Sequence, residues 1–510
     1  MWVSKARASG QRGAGDHPAP RANDRHVVVI GSGPAGAIAA RTLAERNVPV
    51  TLLEAGSRRS ALGLTLRVAG VTLVNLRRRL RQRSDGVAKT GDPRVELWED
   101  LAAGGLTNHW AGAVPRFSPD DFRDAARAGE AYRWPIGYGD LAPWYDRVEP
   151  LLHVSGGTAD VPQLPASRVG HVRKLAEDWS PVVAAACGVG RSVLPLPYSY
   201  DSETVLTFSG TRFNAFVRLI DPMLRTGRIQ IRFDAHVLRL EWSRGDGRVS
   251  HVVYRDARTG REERVACGAV VVAAGAINSA RLLLQSRSAD FPEGLGNTDG
   301  VLGRYLHDHP QAKLIVDLDA RMSIHPAAYI SRVSLDRAQP LYAAAAVQWT
   351  GTAIRAKSFV GGTPGRLPWV GFNVVGTMAP SRENGVTIDA GATGLNLHIR
   401  RPVESDVALA KTRDELVGLL DAAGARPRVR LWKIEDPGNS IHFGGTCRMH
   451  ESPRFGMLNA WSRMHAVPNV MVADSSAFTT GPEKNPALTA MALSARGADK
   501  LARDLGAGYV

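Results

Sequence analysis

Cysteine is scarce in this sequence: Cys187, Cys267 and Cys447 are the only three among 510 residues. Three widely spaced thiols build no disulfide framework and match no zinc-ligand spacing, so a reducing, cytoplasmic setting is expected. Long apolar runs are missing as well. Nothing approaches the roughly 20 consecutive apolar residues that cross a bilayer, so no transmembrane segment is expected. The opening stretch, MWVSKARASGQRGAGDHPAPRANDR, has no apolar centre, which argues against a secretory leader. Its Gly, Pro and Arg content reads as a flexible basic tail over residues 1–25. Acidic residues are also in deficit, 49 Asp and Glu against 64 Lys and Arg, a net charge of +15. Such a surplus attracts anions. Without a helix-turn-helix, a zinc-finger spacing or an aromatic RNA motif, however, no nucleic-acid partner is expected. No internal repeat is found, which sets aside solenoids and propellers.

What remains is an ordinary globular composition, 44% apolar and 22% charged, with 52 Gly and 30 Pro available for turns and close backbone approaches. The length exceeds one simple core and implies two domains, or one large domain with an inserted lobe. The basic stretch 73–83 (LVNLRRRLRQR) reads either as a surface for an anionic partner or as a solvated face.

Short β-branched runs punctuated by glycine mark the strands. Val27 to Ile30 reads as a buried parallel strand, Ala35 to Glu45 as a helix and Val48 to Leu53 as a second strand, together a βαβ unit. Ile229 to Trp242 reads as a strand or strand pair. Ala269 to Ala274 is another buried strand, and Gly275 opens a helix running to Gln285. Alternating runs over 311–400 predict an antiparallel sheet, and Glu404 to Ala423 a helix.

The turn after the first strand is Gly31-Ser32-Gly33-Pro34-Ala35-Gly36, a G-x-G-x-x-G arrangement, and Glu54 followed by Ala55 ends the second strand. Each part has a physical task. Gly31 permits the tight turn, Gly33 lets backbone approach a pyrophosphate, and Gly36 lets helix and strand pack closely. The helix N-terminus carries a partial positive charge toward phosphate, and the Glu54 carboxylate can accept from ribose hydroxyls. The turn by itself does not separate FAD from NAD. A strand followed by Ala274-Gly275 recurs far downstream, as though returning to the same sheet, and this favours FAD.

Beyond the turn lie GGLTNHW at 104–110, GAINSARLLLQS at 275–286, LGRYLHDHP at 302–310 and a block from His442 to Leu501. In this order the pieces resemble the glucose-methanol-choline (GMC) family of flavin oxidoreductases. The resemblance implies an α/β fold: a doubly wound, Rossmann-like FAD-binding domain with an inserted α+β lobe holding an antiparallel sheet. It assigns 26–160, 227–310 and 431–510 to the FAD domain, and 161–226 with 311–430 to the substrate lobe. It implies FAD contacts from Gly104, Gly105, Thr107, Asn108 and Trp110, from Val237 near the adenine, and from Asp474 and Ser475 near the diphosphate. Pro486 and Ala487 would bring a helix end to the flavin.

GGLTNHW is closer to the pyranose-oxidase version of its motif, in which the histidine before Trp carries a covalent bond to flavin. His109 holds that position here, and a histidyl-flavin or a packed, hydrogen-bonded histidine are the two readings it leaves open. His442 matches the family's catalytic base and Asn485 its partner. An imidazole suits proton abstraction near neutrality, whereas an amide can only hold the substrate oxygen. Asn485 also reads as a helix N-cap, with Pro486 at the first helical position. His307 and His309 read as a structural turn beside FAD and not as a metal pair, and no metal site is expected. His450 and His465 read as surface residues or as neighbours of the site. The activity implied is FAD-dependent oxidation of an alcohol, a secondary hydroxyl of a sugar, glycoside or polyol, with O2 or another molecule as electron acceptor. The alternatives are a sterol or other natural-product alcohol, or a flavin-containing lyase.

Overall fold

The computed structural model describes residues 25–57, 81–82, 87–108, 110–157, 160–168, 170–199, 213–324, 326–333, 341, 344–348, 366–389 and 394–510. The tail expected over residues 1–25, Arg25 itself apart, the basic stretch 73–83 apart from the backbone of 81–82, and His109 lie outside these residues.

Five short strands form one parallel sheet in the spatial order Ile229–Arg232, Val50–Leu53, Val27–Ile30, Ala269–Val272 and Val470–Val472. Four of them are buried along their whole length, which is why their sequences are nearly continuous apolar runs without alternation. The first helix, Pro34–Glu45, starts one residue earlier than its pattern suggests, because proline is tolerated at a first helical position. It lies against the long helix Ala487–Ala507, whose Ser494 Oγ donates to the Ala35 carbonyl at 2.6 Å. The two ends of the described chain therefore meet in one layer over the sheet.

The run Ile229 to Trp242 resolves into two strands in different sheets. Asp234 adopts a left-handed φ of 57°, and beyond it Ala235–Ser243 turns away into an antiparallel meander with Arg248–Asp256 and Glu262–Ala266.

A second core lies apart from the first. Six strands order as Arg428–Ile434, Gln311–Ser323, Arg366–Gly376, Ala344–Gln348, Ala328–Ile330 and Val193–Pro195, antiparallel throughout. The helix Val403–Ala422 covers one face, setting Leu409, Leu416, Leu419 and Leu420 against Leu314, Val316, Phe372 and Val374. The alternation in the sequence is the alternation of this face with its opposite. Two segments assigned above to the lobe pack instead into the first core: Phe213 to Met223, and the strands Gly385–Ile388 and Leu395–Ile399. Gly385–Ile388 pairs with Leu395–Ile399, which pairs in turn with Val87–Gly91, and their buried apolar side chains join the first core. Conversely, Arg428–Ile434 straddles the boundary at 430/431 as an edge strand of the lobe sheet.

Candidate active site

The carboxyl ends of the parallel strands gather the residues singled out in the sequence. The glycines of the first turn divide their labour by contact. A Cβ on Gly36 would stand 2.1 Å from the Gly31 carbonyl oxygen, and one on Gly31, at φ 97°, 2.5 Å from that of Ala273. A Cβ on Gly33, by contrast, would meet nothing within 4 Å, nor would one on Gly275 at the start of the helix Ala276–Gln285. Gly31 and Gly36 are fixed by protein packing. Gly33 and Gly275 border open space at two helix N-termini, a cradle whose donors suit a diphosphate.

Glu54 is buried at the end of Val50–Leu53. It accepts from Ser32 N at 3.0 Å, Ser32 Oγ at 2.5 Å and Gly56 N at 2.8 Å. Burial raises its pKa, and the three hydrogen bonds oppose that rise. Ser32 Oγ in turn accepts from Gly104 N at 3.0 Å, so this serine couples the first turn to the 104–108 loop. A Cβ on Gly105 would lie 3.4 Å from Gly33 Cα, so that loop rests directly over the cradle.

Thr107, Asn108 and Trp110 point their polar atoms at protein. Thr107 Oγ1 accepts from Ala215 N, Asn108 Oδ1 from Asn214 Nδ2 at 2.7 Å, and Trp110 Nε1 donates to the Phe213 carbonyl at 2.8 Å. Val237 is half-buried in the meander strand whose first residue, Ala235, donates to the Glu54 carbonyl. Asp474 accepts from Gly275 N at 2.9 Å, Ser279 Oγ at 2.6 Å and Ser476 N at 2.8 Å, and thereby joins two strand ends. Ser475 Oγ donates to the Phe443 carbonyl at 2.7 Å.

His442 stands on a loop shaped by Asp308. That buried carboxylate accepts from Gly438 N at 2.8 Å, from Ser440 Oγ and from His442 N at 3.1 Å. Between them Ile441 takes a left-handed φ of 61°, an outlier for a β-branched residue. The adjoining backbone of His307 exchanges two hydrogen bonds with Gly444. The His307 ring sits in a cage that only glycine allows: a Cβ at Gly444, Gly445 or Gly481 would come within 3 Å of it. Asn485 Nδ2 lies 3.4 Å from His442 Nε2. Asn485 stands just outside the helix rather than capping it. Pro486 is the cap, with its carbonyl receiving Ala490 N, and the side chain of Asn485 is free to turn toward His442. Burial lowers the pKa of His442 and of His307 to about 4, so both are neutral at pH 7.

Among the described residues no cluster suited to a metal ion occurs. His450 is buried, bonded to the Glu130 carbonyl at 2.9 Å and by Ser452 N, and is not at the surface. His465 reaches the His450 carbonyl. The three cysteines are free, and burial pushes the Cys267 and Cys447 thiols up to about 12.

Two groups escaped the sequence reading. The first is His309, whose ring meets His442; in sequence LHDHP reads as a structural turn beside FAD and says nothing of that contact. The second is a buried ionic cluster. Lys484 bonds both Asp121 oxygens at 3.0 and 2.7 Å, and Arg332 lies 3.2 Å from Asp121 and from Glu483 and 3.1 Å from Asp124. Its members are scattered over the sequence, and no spacing marks them.

The comparisons with known proteins agree with this architecture. Residues 26–314 match the family model described as FAD binding domain, and residues 423–494 match the one described as GMC oxidoreductase. The chain is 28% identical to the 2-methyl-1,2-propanediol dehydrogenase of Mycolicibacterium austroafricanum, covering 94% of this chain and 96% of that one. It is also 28% identical to the paromamine 6'-oxidase of Streptomyces fradiae, over 94% and 91%. Among solved structures, pyridoxine 4-oxidase from Mesorbium loti superposes with a TM-score of 0.63 at 18% identity, covering 93% of this chain and 98% of that one, a likeness of fold.

Proposed function

Because this chain belongs to the GMC family of FAD-dependent oxidoreductases, we propose that it oxidises a secondary hydroxyl of a sugar, glycoside or related polyol to the carbonyl, with His442 as base. Oxidation of an alcohol with FAD is the activity of the enzyme, and the choice of hydroxyl and the roles of individual residues are the proposal. The observation that carries it is the His442–Asn485 pair, 3.4 Å apart and immediately before the N-terminus of the helix Ala487–Ala507. The relatives named for a diol and for paromamine support the polyol and glycoside class, while the choice of a secondary hydroxyl rests on the GGLTNHW motif alone, since 2-methyl-1,2-propanediol carries only a primary and a tertiary one.

FAD, when bound, supplies the hydride acceptor. The residues fit it: Gly33 and Gly275 leave the diphosphate its room, and the Glu54 carboxylate, which accepts three hydrogen bonds, keeps one lone pair on Oε1 for a ribose hydroxyl. The work of the chain itself is to orient the alcohol and move one proton. His442, neutral because it is buried, accepts the hydroxyl proton as the carbinol carbon gives up its hydride. The Asn485 amide donates to the same oxygen and restricts its orientation. The N-terminus of the last helix stabilises negative charge that develops opposite it.

The test is anaerobic mixing of the yellow holoenzyme with glucose, methyl glycosides, 2-methyl-1,2-propanediol and cholesterol, followed by readmission of air. Bleaching by a glycoside or sugar is expected. Bleaching by cholesterol alone would overturn the substrate class, and bleaching by none would favour a lyase. His442→Ala should retain FAD and lose about 10²–10⁴ in turnover, and near-normal turnover would remove His442 from the mechanism.

A further inference from the structure

The buried imidazole His309 touches His442 ring to ring. Their Nδ1 atoms are 2.9 Å apart, with ring centroids at 4.9 Å and planes at 78°. Nitrogen atoms at that distance share one hydrogen. A neutral imidazole carries one N–H and one lone pair, so one ring must donate and the other accept. Burial holds His442 at about 4 and His309 well below its ordinary value, with the neighbouring His442 and His307 adding to the effect on His309. Both rings are therefore neutral at pH 7, and the pair has only two hydrogen arrangements.

A third group selects between them. Asn485 Nδ2, an amide nitrogen that can only donate, lies 3.4 Å from His442 Nε2, which must therefore present its lone pair. The single hydrogen of the neutral His442 ring is therefore on Nδ1, facing His309. His309 Nδ1 is then a lone pair, and His442 must donate its Nδ1–H to it. The His442 hydrogen is thereby committed, and Nε2 is left bare on the side where Asn485 Nδ2 lies.

From this geometry we propose that His309 is a positioning residue that fixes the tautomer of His442, so that Nε2 is the atom that receives the substrate proton. The proposal rests on the reading of His442 as base. It also explains why His309 is held so firmly. The ring is 4% exposed, a Cβ on Gly481 would lie 3.4 Å from its Nε2, and the following Pro310 is pinned by Gly376 N at 2.8 Å as the strand Gln311–Ser323 begins. When His442 gains the proton, its Nδ1–H bond to His309 becomes charge-assisted and strengthens, so the same contact also supports the protonated base. No other reagent is consumed, since one proton passes from hydroxyl oxygen to Nε2.

The experiment uses 15N-histidine-labelled holoenzyme, with the His442 resonances assigned by their loss in His442→Ala. At pH 7 the wild-type His442 should show a protonated Nδ1 and an unprotonated Nε2. A protonated Nε2 there overturns the proposal whatever the variants do. In His309→Phe, which removes the acceptor, turnover should fall about 100-fold with FAD content kept, and His309→Asn, whose amide oxygen can still accept, should recover at least roughly tenfold of that loss. If His309→Phe stays within about threefold of wild type while His442→Ala is inactive, the tautomer role fails and the base survives. If His442→Ala is itself active, the reading beneath the proposal fails instead. If His309→Phe does not load FAD, the wild-type tautomer alone decides.

Discussion

A single atom separates the glycines of the first turn. Gly36→Ala would drive its Cβ to 2.1 Å from the Gly31 carbonyl, backbone that cannot swing aside. The variant should express poorly or purify without FAD, as read from the flavin absorbance. Gly33→Ala, facing open space, should fold, and its defect should appear only in FAD affinity. At the same scale, the pH profile reports the state of His442. Its pKa is lowered to about 4, so the base form is populated above that value and lost below it. kcat/KM should be level from near neutrality downward and fall as the pH drops through about 4; an acid limb at the ordinary imidazole value of roughly 6.5 would contradict the burial. These residues were legible because each has a chemical signature. Glycine spacing, a strand-ending glutamate and a histidine before a glycine pair can all be read in one dimension. His309 was not, because its meaning is a distance to a ring 133 positions away.

Elements were legible where their period was clean. The fully buried strands and the helix over 403–422 fell within a few residues of expectation, since burial on both sides or on one face writes itself into the apolar pattern. The run from 229 to 242, readable as a strand or strand pair, is two strands, and what its pattern could not show is that a single left-handed Asp234 sends the halves to different sheets. The loop 438–442 was invisible for a related reason: Asp308, far away in sequence, imposes its shape. Asp308→Ala removes the acceptor for three donors and releases the strained Ile441. kcat should fall by at least about tenfold while FAD stays bound, because His442 loses its fixed aim. Unchanged kcat would mean that the glycine contacts to His307 suffice to hold the loop.

Across the whole molecule, the ionic cluster joins pieces that belong to different cores. Asp121 and Asp124 come from the helix Pro119–Ala128, Arg332 follows a strand of the lobe sheet, and Lys484 precedes the site's Asn485. Lys484→Met leaves a buried carboxylate short of one partner and should cost about 3–5 kcal/mol, seen as a lower midpoint in urea. Replacing Lys484 and Asp121 together by apolar residues should recover part of that loss, and an additive loss would show the pair to be uncoupled. A parallel-sheet core with an antiparallel lobe was legible from the motifs, but residues 213–223, 385–388 and 395–399 carry no mark of which core they join.

The parallel sheet also has a consequence for biosynthesis. Its strands lie side by side in an order far from the order in which a ribosome makes them. The two earliest, Val27–Ile30 and Val50–Leu53, gain their outer neighbours only when Ile229–Arg232 and Ala269–Val272 have been translated, and Val470–Val472 comes later still. The nascent polypeptide therefore carries an unfinished apolar edge until residue 272 has been made, and the cradle for its coloured prosthetic group lacks its last walls until residues 470–487 follow.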